Sequence, residues 1–319
     1  MASPGLFDAP ISPLRARLEQ KLHTLADQQI YIGTSSWKYE GWLGQVFTED
    51  RYVTRGKFSR KKFEENCIAE YAEVFPIVCG DFAFYQFPSQ AFWQKLFTTA
   101  PSNLRWAFKV PEEITVKQWP GHARYGARAG LENENFLNAD LFRHAFLDQL
   151  APYKDRVSAM IFEFGTMSKK TMPGLDAFLT QVNRFLSELP DNWRYSIEIR
   201  NPEFLEPDYF ACLRSYNVAH VLNAWTRMPE IGKQLQMEDV FTADFTVVRA
   251  LLKYGRAYES AVKAFEPYKS VQEENPSTRD ALKAIIARAK RIKQPAFVFV
   301  NNRLEGNAPG TIDAITEPV

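Results

Sequence analysis

The chain has 319 residues, enough for one large domain or two smaller ones. Its 39 basic and 38 acidic residues leave a formal charge of +1, so the chain as a whole has no electrostatic attraction for nucleic acid or for a membrane surface. The three cysteines are widely spaced, which argues against a disulfide framework and a zinc ribbon. The first residues contain no apolar run long enough for a secretory signal or a membrane span, and we expect a cytoplasmic protein.

The sequence predicts an added helix ahead of the first strand. Ser12-Pro13 is a good cap and first-turn pair, and leucines then recur on one helical stripe. The leucines of this stripe are Leu14, Leu18, Leu22 and Leu25. We therefore divide the chain into an N-terminal helical extension, residues 1–28, and one domain, residues 29–319.

An aromatic loop follows the strand that opens this domain. The strand begins near Ile30 and ends at Gly33, and Trp37, Tyr39 and Trp42 come directly after it. Aromatic rings of this size either close one end of a hydrophobic core or form the wall of a ligand site. Both interpretations stay open, and Trp37 and Tyr39 are candidate ligand-binding residues.

Strands and helices then alternate along the chain. Strand-like segments cover residues 81–85, 105–110, 159–163, 195–200, 219–223, 245–249 and 296–301. Amphipathic helices lie between them, for example over residues 89–100, 138–150, 173–189 and 279–293. With the opening strand the count is about eight, which favours a single (β/α)8 TIM-type barrel of α/β class, with the extra N-terminal helix, over an open doubly wound sheet. No Gly-x-Gly-x-x-Gly turn follows the first strand, which weakens a dinucleotide-binding alternative.

Short motifs at the strand ends together resemble a known family. They are Gly33-Thr-Ser-Ser-Trp-Lys-Tyr39, Phe84-Tyr-Gln-Phe-Pro-Ser89, Phe108-Lys109, Ile197-Glu-Ile-Arg200, Val248-Arg249 and Val300-Asn-Asn302. In their order and position, over about residues 30–314, they resemble the YecE-like family, domain of unknown function 72 (DUF72). The resemblance implies a TIM-type barrel and no settled activity.

Polar side chains at the carboxyl ends of the strands are the candidates for a site, because active sites of such barrels lie there. Side chains two residues apart share one face of a strand, which places Glu198 with Arg200 and Ala107 with Lys109. By this rule a polar, net basic set converges inside the barrel: Lys109, Glu163, Glu198, Arg200, Asn223, Arg249 and Asn301.

Two carboxylates of this set are candidate catalytic residues. Glu198 or Glu163 can serve as general acid or base while Lys109, Arg200 and Arg249 hold an anion. The competing interpretation is a buried ion pair of Glu198 and Arg200 that only stabilises the barrel. The sequence leaves both possibilities open.

Further candidates lie in the loops around this set. Asn301 and Asn302 end the last strand and are expected to contact a ligand, and Tyr85 is expected to add to an aromatic wall. The last two loops carry Lys253, Arg256 and Arg303 where barrels often bind phosphate.

No metal or cofactor site is expected. The four histidines lack metal-ligand spacing, and no Gly-x-Ser-x-Gly elbow is present. The sequence therefore predicts a protein that binds a small anionic or phosphorylated ligand at the C-terminal face of the strands, and carboxylate-dependent hydrolysis without a tightly bound transition metal is the activity we consider for it. The alternatives are a non-catalytic nucleic-acid binding protein, because basic and aromatic residues alternate over residues 117–128, and a glycosidase-like enzyme acting on a neutral sugar. No membrane partner is expected, and the oligomeric state is left open.

Overall fold

Eight parallel strands close into a barrel in the computed structural model, which describes residues 11–317. The barrel strands are β1 (Ile30–Thr34), β4 (Ile77–Gly80), β5 (Arg105–Lys109), β6 (Val157–Phe164), β7 (Tyr195–Ile199), β8 (Ala219–Ala224), β9 (Thr246–Ala250) and β10 (Ala296–Val300). A small antiparallel pair, β2 (Val53–Thr54) and β3 (Lys57–Phe58), lies outside the barrel. The barrel closes where β1 pairs with β10 on one side and, through Thr34 and Val78, with β4 on the other. The predicted (β/α)8 barrel is confirmed.

Helices surround the strands. Their bounds are α1 (Pro13–Ala26), α2 (Arg60–Val74), α3 (Gln90–Thr99), α4 (Glu112–Thr115), α5 (Ala139–Phe142), α6 (Asp148–Leu150), α7 (Leu175–Ser187), α8 (Pro207–Ser215), α9 (Ile231–Gln234), α10 (Tyr258–Phe265), α11 (Pro276–Ile292), α12 (Asn302–Glu305) and α13 (Ala308–Ile315). A π-helical turn, Arg143–Leu147, joins α5 to α6. Within residues 11–317, no helix combines the length and the apolar character needed to cross a membrane.

Side chains alternate between the barrel interior and the helix layer, as period-two alternation requires. Small and branched residues fill the interior: Ile77, Cys79, Ala107, Ala159, Ile161, Ala219, Val221, Val247 and Phe299. Large residues such as Trp106, Phe108 and Ile197 face outward and pack against the helices. Because β5 presents Ala107 inward and Trp106 outward, the next inward position is Lys109, at the end of the strand.

The second barrel strand differs from the prediction. The sequence suggested a strand over residues 81–85, but β4 ends at Gly80 and Asp81–Phe84 form a 3-10 turn. The chain is tightly packed at this point, since a Cβ atom at position 80 would lie 2.8 Å from the ring of Phe108. Asp81 therefore lies at the carboxyl end of a strand and not at the start of one, which matters for the site.

The predicted N-terminal helix is present as α1. The Ser12 hydroxyl accepts a hydrogen bond from the backbone N–H of Arg15 at 3.1 Å, which caps the helix. Leu18, Leu22 and Leu25 are buried and attach α1 to the helix layer beside α2 and α13. A buried ion pair adds to this attachment, because Nη1 of Arg15 lies 2.5 Å from Glu70 in α2.

Candidate functional site

Charged side chains form ion pairs with one another at the carboxyl ends of the strands. We call this end of the barrel the mouth. We call this set the ion network, and its members are Asp81, Lys109, Glu163, Glu198, Arg200 and Arg249. They lie in or directly after β4, β5, β6, β7 and β9, so five of the eight barrel strands supply them. The sequence predicted that five of the six converge, and missed Asp81.

Arg249 lies at the centre of the ion network and is 2% exposed. Its Nη1 donates to Glu163 Oε2 at 2.6 Å and to Glu198 Oε2 at 2.5 Å. Burial by itself would lower the pKa of Arg249, but the carboxylates of Glu198, Asp81 and Glu163 outweigh burial and hold the pKa well above its ordinary value. Arg249 therefore stays charged and ties three strands together.

One carboxylate oxygen of Glu163 contacts three cationic side chains. Its Oε2 lies 2.6 Å from Arg249, 2.9 Å from Arg200 and 3.0 Å from the Lys109 ammonium. Burial acts to raise the pKa of Glu163, but the three cations together lower it far below its usual range. Glu163 is therefore ionised at neutral pH and has no proton to give as a general acid.

Glu198 is fully buried, and both of its oxygens are occupied. Oε1 accepts from Nε and Nη2 of Arg200 at 3.1 and 3.0 Å, and Oε2 accepts from Arg249. Neither oxygen is left for a substrate proton. The two predicted catalytic carboxylates thus converge as expected, and their contacts suit holding Arg200 and Arg249 in place.

Asp81 is the carboxylate of the ion network that reaches solvent. Its side chain is 36% exposed, whereas those of Glu163 and Glu198 are 6% and 0% exposed. It is loosely held, because Arg249 Nη2 lies 3.4 Å away and the Cys79 thiol 3.6 Å away. The signal in the sequence is an acidic residue directly after the apolar run Ile77–Gly80.

Formal charge balances within the ion network. Asp81, Glu163 and Glu198 match Lys109, Arg200 and Arg249, so the excess of cations expected from the sequence is absent there. That expectation omitted Asp81, which lay in a misassigned strand.

A second group of cations lies in the loops after β9 and β10. Lys253 and Arg256 share one carboxylate, Glu273, at 2.7 and 2.5 Å. Arg303 forms no ion pair within residues 11–317 and lies over the ring of Tyr258 at 4.4 Å. These three cations therefore contact only one carboxylate, that of Glu273.

The aromatic candidates are not all at the mouth. Trp37 is buried, edge-on to Trp106 and Phe82, at centroid distances of 5.6 and 6.3 Å. Since Trp106 faces the helix layer, Trp37 packs there and does not join the ion network. The position of Trp37 matches the interpretation of a core-closing residue.

Tyr39 lies between the ion network and the last loop. Its ring packs against Trp42 and Tyr268, at centroid distances of 4.8 and 5.6 Å. Burial raises the pKa of Tyr39 to about 12, with Arg303 acting to lower it and Asp81 acting to raise it. The charges of Arg303 and Asp81 therefore both act on the Tyr39 phenol.

Other aromatic rings support the cations of the ion network. The Lys109 ammonium lies 3.6 Å from the ring centre of Phe84, and the Arg200 guanidinium lies 3.7 Å from that of Trp225. Tyr85 is 58% exposed beside Phe84 and contacts Arg124 at 4.6 Å. Sequence reasoning found Tyr85 and missed Trp225, because nothing near Trp225 in the chain marks it.

The two asparagines at the end of β10 have structural contacts. Asn301 caps α12 by accepting from the backbone N–H of Arg303 at 3.0 Å. Asn302 accepts from Trp42 Nε1 at 3.2 Å and from the backbone N–H of Ala308 at 2.8 Å. Both are buried, so their amide oxygens fix the last loop and thereby the position of Arg303.

Residues 112–136, which we call the insertion after β5, carry cations that pair with carboxylates of the same segment. Arg124 pairs with Glu112 at 2.6 Å and Arg128 with Glu113 at 2.9 Å. A third pair joins Lys117 and Glu132 at 2.6 Å. The alternation of basic and aromatic residues seen in the sequence therefore corresponds to internal contacts, such as Arg128 over Trp119 at 4.1 Å.

Within the part of the chain that the structure describes, no three His, Cys, Asp or Glu side chains are grouped so as to hold a metal ion. Fold and site together define a (β/α)8 barrel protein with a polar, interlocked site at the C-terminal face of its strands. The family model described as "Protein of unknown function DUF72" matches residues 31–319, and the chain belongs to this family. The resemblance read from the strand-end motifs is confirmed. No curated protein matches the sequence.

Two solved structures illustrate the likeness. A DUF72 family protein (TM1631) from Thermotoga maritima MSB8 has a TM-score of 0.57 at 17% identity, over 90% of this chain and 96% of that chain. A DUF72 family protein (EF0366) from Enterococcus faecalis V583 has a TM-score of 0.56 at 15% identity, over 90% and 94% of the two chains. At these identities the likeness shows the fold alone.

Proposed function

We propose that the mouth of the barrel binds a small phosphorylated ligand through Arg303, Arg256 and Lys253, and that Asp81 then acts as the general base of a hydrolysis. The observation that carries this proposal is a pair of buried guanidinium N–H groups without a partner. Nε of Arg303 and Nη1 of Arg256 are both buried, and neither has a hydrogen-bond acceptor among the described residues.

Such groups are costly, because a buried donor without an acceptor loses its hydration and gains nothing in return. A phosphate oxygen would satisfy them, since guanidinium groups match phosphate with paired, charge-assisted hydrogen bonds. Lys253 and Arg256 share the single carboxylate of Glu273, and Arg303 has no carboxylate partner in the described chain, so these three cations outnumber the carboxylates that contact them. A phosphate dianion has the complementary charge, and the loops after the seventh and eighth strands are a frequent place for phosphate in barrels.

Asp81 is suited to act on the bound ligand. Its charge and that of Arg303 both act on the Tyr39 phenol, and its carboxylate is both open to solvent and only weakly held by Arg249. A general base needs a free oxygen within reach of a water molecule. In the ion network Asp81 meets this requirement best, because its side chain is 36% exposed, whereas those of Glu163 and Glu198 are 6% and 0% exposed.

The two alternatives receive less support. A glycosidase needs one carboxylic acid that is protonated near neutral pH, and Glu163 is held ionised. A nucleic-acid surface needs cations that are available to phosphates, and the cations of the insertion already pair with Glu112, Glu113 and Glu132.

Thermal unfolding tests the binding step. Inorganic phosphate, a hexose phosphate and a nucleoside monophosphate are each titrated against the protein, since a ligand at a hundred times its dissociation constant stabilises by about 2.7 kcal/mol. We expect at least one of them to raise the melting temperature, and Arg303→Gln to abolish the rise. Arg184→Gln is the matched control, because Arg184 is exposed on α7 and pairs only with Glu188. If no phosphate compound stabilises the parent protein, the proposed function is wrong.

The hydrolysis step has its own test. Release of inorganic phosphate is measured for each phosphorylated compound that binds. We expect Asp81→Asn to lose the release and to keep the binding, because an amide cannot take a proton from water. Equal rates for the parent and for Asp81→Asn would leave the binding site intact and remove the catalytic role of Asp81.

A further inference from the structure

A cavity of about 1000 Å³ opens at the end of the barrel opposite to the mouth. Arg105, the first residue of β5, lines it together with Arg194 and Phe245, which directly precede β7 and β9. The loops that lead into these strands complete the wall. Its volume is at the upper end of the range found for small-molecule sites, and none of the residues of the proposed phosphate site takes part in it.

Aromatic rings at the barrel end support two arginines of this cavity. Arg105 lies over Tyr31, with 5.1 Å from the guanidinium carbon to the ring centre. Arg194 lies 5.9 Å from the ring centres of both Phe245 and Phe297. Contacts of this kind hold a guanidinium in place while consuming none of its N–H donors.

The donors of both arginines are largely unused. Arg105 donates to the backbone carbonyl of Asp155 at 3.3 Å, and neither Arg105 nor Arg194 forms an ion pair within residues 11–317. Lys154, over the ring of Trp193 at 5.4 Å, is a third cation of the same wall that has no carboxylate partner in the described chain. Three cations of the cavity are therefore available to a ligand.

Three carboxylates line the same cavity, namely those of Asp155, Asp191 and Asp244. All three residues are exposed, and none is in an ion pair with another described residue. The remaining cation of the wall, Arg214, is already paired with Asp239 at 3.2 Å. The free charges of the cavity are therefore three positive and three negative.

This balance decides which class of ligand fits. A simple anion would meet three carboxylates, and a simple cation would meet three cations, so each would be repelled by half of the wall. A zwitterion that carries an ammonium group and a carboxylate can satisfy both sets. We propose that this cavity binds a zwitterion of the amino-acid or short-peptide class, with its carboxylate at Arg194 and Arg105 and its ammonium group at Asp191 and Asp244.

The cavity also offers apolar surface for a side chain. Leu186, Leu189, Trp193 and Tyr216 belong to its wall, and Tyr216 is 36% exposed. Because the volume exceeds that of a single small amino acid, a peptide of a few residues fills more of it. We therefore expect a short peptide to bind more tightly than a free amino acid.

Four related compounds test the proposal by calorimetric titration of the whole protein. They are trialanine, N-acetyl-trialanine, trialanine amide and alanine. We expect trialanine to bind, and the acetylated and amidated forms to bind at least tenfold more weakly, because each lacks one of the two charges. Arg194→Gln and Asp191→Asn should each raise the dissociation constant of trialanine at least tenfold.

Arg291→Gln is the control variant, because Arg291 is exposed on α11 and outside the cavity. It should bind trialanine as the parent does, and the melting temperatures of all variants without ligand establish that they fold. Alanine binding as tightly as trialanine would support the zwitterion class with a free amino acid as its source. Absence of binding, equal binding of the blocked peptides, or unchanged binding by Arg194→Gln would overturn the proposal.

Discussion

Arg249 Nη2 and Asp81 Oδ1 are 3.4 Å apart, which is the longest contact that Arg249 makes to a carboxylate of the ion network. The same guanidinium contacts Glu163 and Glu198 at 2.6 and 2.5 Å. One arginine thus has two close buried partners and one loose partner that reaches solvent. This asymmetry separates a structural part of the site from a part that is free to react, and the predictions below follow from it.

The buried contacts of Arg249 should make a large contribution to the free energy of unfolding. Replacing Arg249 with Met leaves Glu198 buried with only Arg200 as a partner, and loss of one member of a buried ion pair typically costs roughly 3 to 5 kcal/mol. We expect a loss of this size in the free energy of unfolding, measured with urea. Adding Glu198→Gln to Arg249→Met should recover part of it, because the stranded charge is removed. A single variant as stable as the parent would contradict the structural role.

Glu163 should make stability depend on acid pH. Its pKa is lowered in the folded protein by Arg200, Lys109 and Arg249, whereas in the unfolded chain a glutamate titrates near pH 4.3 or so. The unfolded chain therefore binds the proton first, so the stabilisation is complete above about pH 5 and is lost as the pH falls toward the folded pKa. Below about pH 4, Glu163→Gln should show a slope of unfolding free energy against pH that is smaller by up to about 1.4 kcal/mol per pH unit. Identical slopes for the two proteins would show that Glu163 does not titrate in this way.

His220 should make the stability of the fold depend on pH in a higher range than Glu163 does. Burial lowers the pKa of His220 to about 4, and the Gln234 side chain opposes this only in part. Its Nδ1 lies 3.2 Å from the Tyr209 hydroxyl in a buried pair. The unfolded histidine protonates near pH 6.5 or so, so stability is complete above that pH and falls by about 3 kcal/mol as the pH drops toward about 4. Nuclear magnetic resonance titration of the His220 ring should show no midpoint between pH 6 and 7, and a midpoint there would refute the assignment.

The fold could be predicted from the sequence because the barrel repeats a strand-like segment eight times along the chain. Each strand has an apolar run. Period-two alternation then predicts which side chains of β5 and β7 face the barrel interior, and Lys109, Glu198 and Arg200 lie where this rule placed them. The same rule failed at residues 81–85, where alternating aromatics imitate a strand. At this point Phe108 of the neighbouring strand packs closely against Gly80, and the local sequence does not reveal this tertiary contact.

Charge pairing was the other part that the sequence did not reveal. Arg256 and Lys253 precede Glu273 by 17 and 20 residues, and Arg249 lies 168 residues from Asp81 along the chain. Only the folded chain shows which cation meets which carboxylate. Adding up charges along the sequence therefore predicted an excess of cations inside the barrel as well as around the last loops, whereas the contacts leave the ion network neutral and Arg303 without an ion pair in the described chain.

Oligonucleotides should bind weakly. The cations of the insertion are paired with carboxylates. The basic segment over residues 51–62 is partly neutralised as well, since Arg51 contacts Glu73 at 3.0 Å and Arg60 contacts Glu64 at 2.9 Å. We expect no binding of single-stranded oligonucleotides at physiological salt by fluorescence anisotropy. A strong interaction that weakens steeply with salt would instead support a nucleic-acid function, because release of counterions from phosphates produces that dependence.

Asp81→Asn should strengthen phosphate binding while it removes hydrolysis. The ion network is neutral in the parent, so loss of one carboxylate leaves it with a charge of +1 beside the region that Arg303 also faces. At distances of about 10 Å and an effective dielectric constant of about 20 to 40, one unit charge changes the energy of another by about 1 kcal/mol. We expect the dissociation constant of inorganic phosphate, measured by calorimetric titration, to fall by roughly three- to tenfold. Asp280→Asn on the exposed face of α11 is the control and should leave the constant unchanged. Weaker phosphate binding by Asp81→Asn would place the phosphate away from Asp81 and separate the two halves of the proposed site.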